Sequence, residues 1–81
     1  MIIPKGTIMI TVQTSHDLGQ QVRTARRRQR LTQEQLAALA GVGIRFIREL
    51  EHGKAGCHID LALTVLQTLG LSLHIQGRDD E

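Results

Sequence analysis

Aromatic side chains are almost missing from this sequence: there is no tryptophan, no tyrosine and a single phenylalanine, Phe46. With 41% of its residues hydrophobic, the core must be built from Leu, Ile, Val and Ala on closely packed helices. Cysteine occurs once, as Cys57, which excludes an intrachain disulfide and fits a reducing cytoplasm. No stretch approaches the roughly 18 apolar residues of a membrane span. The apolar start "MIIPKGTIMI" is interrupted by Pro4, Lys5 and Gly6 and carries no signal-peptide core; residues 1–8 read as an extension or an upstream start. A glycine-rich phosphate loop, a nucleophile paired with a base and a carboxylate pair in a credible pocket are all lacking. His52, Cys57 and His58 match no zinc spacing, and a fourth ligand is missing. No catalytic residue, metal or cofactor is therefore assigned. At 81 residues the chain is short for an enclosed pocket and reads as a soluble intracellular binding module.

Arginine, by contrast, is plentiful and unevenly placed. Between His16 and Cys57 eight basic residues face four acidic ones, a local balance of +4, whereas the stretch from His58 onward stands at −3. The segment "RTARRRQR" alone holds half of all the basic residues. Such asymmetry favours a polyanion as the partner of the middle region.

The hydrophobic pattern divides the chain into three parts: an N-terminal segment with a short strand over 1–13, a helical domain over 14–70, and a C-terminal strand with an acidic tail over 71–81. Ile8, Ile10 and Val12 alternate with polar or flexible neighbours, as do Leu71, Leu73 and Ile75, the period of a strand with one buried face. Two lone strands are expected to pair with each other or with their copies in a second subunit. Between them four helices have readable limits. Thr14 with Asp17 opens the first, from about Ser15 to Gln29; Thr32 with Gln35 forms a capping box for the second, which Gly41 stops. The third runs from near Gly43 to before Gly53, and the fourth is "HIDLALTVLQTL", closed by Gly70. That last helix is apolar almost all round: Ile59, Ala62, Leu63, Leu66 and Leu69 suit the core, and Leu61 and Val65 lie on another face. A homodimer would cover that face together with Ile10, Leu71, Leu73 and Ile75; the alternative is that the N-terminal strand covers Leu61 and Val65.

The spacing between Gln33 and His52 is the most informative feature. Ala37 is small where two helices must cross, Gly41 tolerates positive φ four residues later, and Leu36, Val42, Ile47 and Leu50 are apolar where the pair must lock onto the first helix. That combination specifies a helix-turn-helix. The stretch "LTQEQLAALAGVGIRFIRELEHGK" resembles the Xre-type, lambda-repressor-like repressors across roughly Leu18 to Leu69. The wider frame ending in "VLQTLGLSLHI" is similar to the HipB-like and Y4mF-type antitoxin repressors, which carry a strand after the fourth helix. The expected fold is thus mainly α, a lambda-repressor-like bundle of four helices with a terminal strand at each end.

A helix presented in this way enters the major groove with its first turns against base edges. Arg45 is the leading base reader, since a guanidinium donates two hydrogen bonds to guanine; Ile44 suits a thymine methyl, and Arg48 a phosphate or a neighbouring acid. Phe46 suits packing rather than a base contact. Gln33 sits at a helix start that favours an anion, and the resemblance implies that its side chain touches the DNA backbone. Gly43 stands where the family commonly has a serine or threonine, so a capping hydroxyl is lost. Lys54 is a plausible phosphate clamp, and Arg23, Arg27 and Arg30 share a helical face that suits a phosphate backbone, with Arg26 pointing away from them. The function expected is a sequence-specific repressor, a homodimer on an inverted-repeat operator, located in the cytoplasm at the nucleoid. The resemblance adds a HipA-like kinase toxin as partner, with repression of the shared operon. The alternatives are a stand-alone or prophage regulator without a toxin, and an interaction module that has lost DNA binding.

Overall fold

The computed structural model describes residues 8–78. Four helices follow in order: α1 Ser15–Arg28, α2 Gln33–Ala40, α3 Ile44–Glu51 and α4 Ile59–Thr68. Their starts follow from the caps written in the sequence. Thr14 accepts from the Asp17 amide at 3.0 Å, while the Asp17 carboxylate reaches back to the Gln13 amide, also at 3.0 Å. That amide donor holds the Asp17 carboxyl below the usual aspartate range. At α2 the capping box is complete, with Thr32 Oγ1 on the Gln35 amide and Gln35 Oε1 on the Thr32 amide. Gly43 and His58, which start α3 and α4, supply no side-chain cap.

All four helices end in the same way. A residue one or two positions past each helix is left-handed and donates to a carbonyl three back, and the next residue donates five back: Arg30 and Leu31, Gly41 and Val42, Gly53 and Lys54, Gly70 and Leu71. This closure satisfies two otherwise orphaned carbonyls per helix. It also folds an apolar residue back onto the core at three of the four ends, through Leu31, Val42 and Leu71. Glycine holds the left-handed position three times; at α1 it is held by Arg30, with φ 60°.

The core is aliphatic throughout. Leu36, Ile47, Val22 and Val65 are fully buried, joined by Ala25, Ala37, Leu50, Ala62, Leu66 and Leu69. α3 packs against both α1 and α2, and α2 also packs against α4. The α1–α3 crossing is close because Gly19 lies on it: a Cβ there would stand 2.3 Å from the Leu50 carbonyl oxygen. The half-buried Phe46 packs on the same core.

Two charged residues lie inside this arrangement. Arg26 donates from Nε to Glu51 Oε2 at 2.6 Å and from Nη2 to Oε1 at 2.9 Å, a bidentate pair whose side chains are 10% and 4% exposed. Its third nitrogen, Nη1, donates to the Leu31 carbonyl at 2.8 Å, and Gln33 Nε2 donates to Glu51 Oε1 at 3.2 Å. The pairing to Glu51 raises the Arg26 pKa above its ordinary value. Among the described residues no buried side-chain polar atom lacks a partner. Arg26 therefore does more than point away from its neighbours in the arginine run: it is part of the interior.

Three expectations are corrected. Neither Ile8–Gln13 nor 71–78 forms a strand among the described residues. A strand is defined by a ladder to another about 4.8 Å away, and the helices offer these lone segments no sheet edge. Val65, expected on a partner-facing side, is fully buried in the chain's own core. Ile59, expected in the core, is 59% exposed. The buried stripe of α4 is Ala62, Val65, Leu66 and Leu69, a regular helical face rotated from the one expected. On a helix apolar all round, periodicity does not say which side turns inward.

Removing one member of the buried pair strands the other charge. Glu51→Ala is expected to cost about 3–5 kcal/mol in chemical denaturation, whereas Arg26→Met combined with Glu51→Leu recovers most of that loss. A cost of Glu51→Ala no larger than that of an exposed residue would contradict this account. Arg30→Gly, which relieves the one left-handed side chain among the described residues, is expected to stabilise by about 0.5–1 kcal/mol.

Candidate nucleic-acid interface

The turn between α2 and α3 determines what α3 exposes. Gly41, at φ 72°, reverses the chain within one residue, and nothing lies within 4 Å of the Cβ it lacks. The backbone conformation, and no crowding, calls for glycine here. Val42 then tucks onto the core and Gly43 starts α3 in extended conformation. Leu36 and Ala37 from α2, and Ile47 and Leu50 from α3, are buried between the two helices and α1.

The remaining face of α3 is strongly polar. Arg45 has an 87% exposed side chain, Arg48 is exposed, and Lys54 follows just after the helix end, 57% exposed. Glu49 lies between them. Its Oε2 accepts from Lys54 Nζ at 3.0 Å and from Arg45 Nε at 3.4 Å. The Lys54 hydrogen bond, helped by the Arg45 charge and opposed by partial desolvation, holds the Glu49 carboxyl below its usual range.

Other expected contact residues are placed less uniformly. Arg23 and Arg27 are exposed on α1, one turn apart. Gly43 is exposed with open space around it. Ile44 is half-buried and packs on the core, leaving only part of its side chain for a base edge. Gln33, at the first position of α2, is half-buried and tied to Glu51, and so braces the far end of α3. Gln29, just past α1, donates from Nε2 to the Leu69 carbonyl at 2.8 Å and anchors the end of α4. Of the apolar residues expected to meet a partner, Ile10, Leu73 and Ile75 are exposed at 57%, 52% and 94%, Leu61 is at 37%, and Leu71 is half-buried against the core.

Sequence reasoning missed two acids. Glu49 is four residues after Arg45, a spacing that signals a helical ion pair. Glu51 had no such signal, because its partner lies 25 residues away.

Among the described residues no group of three His, Cys, Asp or Glu converges to hold a metal ion, and no helix is long and apolar enough to cross a membrane. The lowered Glu49 pKa has a definite sign. Its ion pairs contribute fully above the usual glutamate range, and that contribution is lost as pH falls through the lowered value. In Lys54→Ala the Glu49 carboxyl is expected to titrate at higher pH than in the parent chain, measured by carboxyl carbon NMR shifts.

Comparison with known proteins agrees with this geometry. The family model of a helix-turn-helix domain matches residues 17–74. The chain is 50% identical over 64 residues to the HTH-type transcriptional regulator y4mF of Sinorhizobium fredii, covering 79% of this chain and 84% of that protein. Its fold is similar to two solved structures, a HipB-O4 20mer complex and a HipA-HipB-O2-O3 complex. Each is 20% identical, with TM-scores of 0.77 and 0.78, and each alignment covers 85% of this chain and 97% of the other. The arginine-bearing face of α3 is thus the exposed side of a helix-turn-helix, and the chain belongs to the helix-turn-helix family of transcriptional regulators.

Proposed function

We propose that this regulator is a sequence-specific repressor that binds an inverted-repeat operator as a homodimer. The observation that carries the reading is the exposed face of α3, where Arg45 and Arg48 stand on a helix otherwise locked into the core. Arg45 reads a base, with its terminal nitrogens suited to guanine O6 and N7. Arg48, Arg23, Arg27 and Lys54 supply positive charge for phosphates, and the free amides at the start of α2 favour another. One such unit reads only a few base pairs, so two copies on half-sites about 34 Å apart gain the selectivity a single helix lacks. The exposed Ile10, Leu73 and Ile75, together with Leu61 on α4, are the apolar surface by which two copies would join. Pairing of the terminal segments between copies would supply the ladder that a single chain does not form.

The likeness to structures containing HipB, one of them with HipA, supports a further role as the antitoxin of a HipA-like kinase toxin, repressing the operon of the pair. Co-purification of such a kinase with the tagged chain from its native host is the expected result. Retention of operator binding with no such partner would favour the stand-alone regulator.

The DNA reading is tested by selecting bound duplex fragments with the purified chain at defined salt. Arg45→Ala is expected to lose about 1–3 kcal/mol of discrimination at one base pair of the selected site. Arg27→Ala is expected to weaken all duplexes alike and to lower the salt slope by about one. Unchanged selectivity in Arg45→Ala would remove Arg45 from its assigned role, and no binding by the parent chain even at low salt would favour the interaction module.

A further inference from the structure

A carboxylate in the middle of a surface that meets a polyanion is unfavourable unless it performs some task there. Glu49 is such a group: it shares α3 with Arg45 and Arg48, and the Lys54 ammonium touches it. Its side chain is 31% exposed, much less than the two cations it contacts. Lys54 is bound to it twice. The Lys54 amide donates to the Glu49 carbonyl at 3.1 Å as part of the α3 closure, and Lys54 Nζ donates to Glu49 Oε2 at 3.0 Å. The closure at Gly53 thus sets the position of Lys54, and Lys54 sets the carboxylate.

The contact from Glu49 to Arg45 involves one specific edge of the guanidinium. Only Nε donates to the carboxylate, at 3.4 Å, and Nη1 and Nη2 have no hydrogen-bond partner among the described residues. A guanidinium has five donors in a rigid plane, so holding the Nε edge restricts the side chain without using the terminal fork that suits guanine O6 and N7. The same negative charge disfavours a second use of Arg45, as a point charge sliding along any phosphate backbone.

We propose that Glu49 is the positioning residue for Arg45: anchored by Lys54, it presents Arg45 as a preformed fork for one guanine and suppresses sequence-independent binding. This rests on the reading of Arg45 as the base-contacting residue. It gives Lys54 a second task beside its charge toward phosphates, at the far end of a Lys54–Glu49–Arg45 chain. It also separates two quantities that a purely electrostatic view of α3 would link. Removing the acid raises affinity for arbitrary DNA and lowers the preference for the selected site.

The test uses the full chain, the duplex it selects and a scrambled duplex of the same length, with affinities measured over a range of salt. In Glu49→Ala the ratio of specific to scrambled affinity is expected to fall by about two- to threefold, the scale of an exposed i,i+4 ion pair, while affinity for the scrambled duplex rises. Glu49→Gln keeps an acceptor for Nε and is expected to recover part of the ratio. Arg45→Ala combined with Glu49→Ala is expected to show no further loss of the ratio beyond Arg45→Ala alone, because the two act on one base pair. An unchanged ratio in Glu49→Ala overturns the proposal. So does a loss at a different base pair that adds to that of Arg45→Ala, which would make Glu49 a reader of cytosine in its own right. Arg45→Ala with the parent's ratio overturns the underlying reading of Arg45, a separate result from either.

Discussion

The buried pair of Arg26 and Glu51 is the constraint on which the placement of the third helix depends. It draws together four points of the chain: the last turn of α1 through Arg26, the α1–α2 connection through the Leu31 carbonyl, the start of α2 through Gln33, and the last residue of α3 through Glu51. Apolar packing alone is non-directional, and an aliphatic core of Leu, Ile, Val and Ala tolerates small slides of one helix on another. A bidentate guanidinium–carboxylate contact tolerates far less, because both nitrogens and both oxygens must align. Burying two charges offsets much of their attraction, so the pair adds little net stability compared with apolar residues of the same volume. Its contribution here is to orientation: it fixes the C-terminal end of α3 against the other two helices of the motif, while Gly41 fixes the other end.

The near-absence of aromatics has a structural counterpart in how closely the helices approach. Gly19 brings α1 to within backbone contact of the end of α3, and Ala25, Ala37 and Ala62 are buried at positions where larger side chains would hold helices apart. Helices of 8, 8 and 10 residues after the longer α1 have too few turns to be stable by themselves. The capping box of α2 and the closure common to all four helices compensate locally, and three of the closing turns return an apolar residue to the core. Arg30 is the exception in that set, keeping a positive charge at a position where the other three helices use glycine.

Much of this was legible in the sequence, and the part that was not has a common physical cause. Caps and closures depend on residues three to five apart, so Thr14, Thr32, Gly41 and Gly70 revealed the helix limits to within a residue or two. The α2–α3 motif was equally readable, since Ala37, Gly41, Val42, Ile47 and Leu50 have fixed spacing. Long-range choices were not. Helical spacing sets Arg26 on a different face from Arg23 and Arg27, but nothing local shows that it is buried and paired, because its partner, Glu51, is far along the chain. The inward face of α4, which takes in Val65 and leaves out Ile59, is not legible, because an all-round apolar helix has no polar face to orient it. At the two ends, alternation describes only which side chains share a face and supplies no partner for the backbone, so it does not make a strand.

These unpartnered segments carry a further consequence for the whole molecule. The ten core residues lie between Val22 and Leu69, so the helical unit closes without Ile8, Met9, Ile10, Leu73 or Ile75, all of them more than half exposed. Apolar surface left in water this way gives nothing to the fold of one chain; five such residues lie at the two ends, Leu39 on α2 and Ile59 on α4 are further ones, and the exposed arginines of the middle region lie on α1 and α3. The apolar ends and the arginine-bearing faces of α1 and α3 are therefore different stretches of sequence. In the proposed dimer that separation has a physical advantage: association through the ends would leave α3 of each copy free, and the rigid link through Arg26 and Glu51 would carry the spacing set at the ends to the two reading helices. A looser helix packing would let that spacing drift, and with it the match to two half-sites one turn of DNA apart.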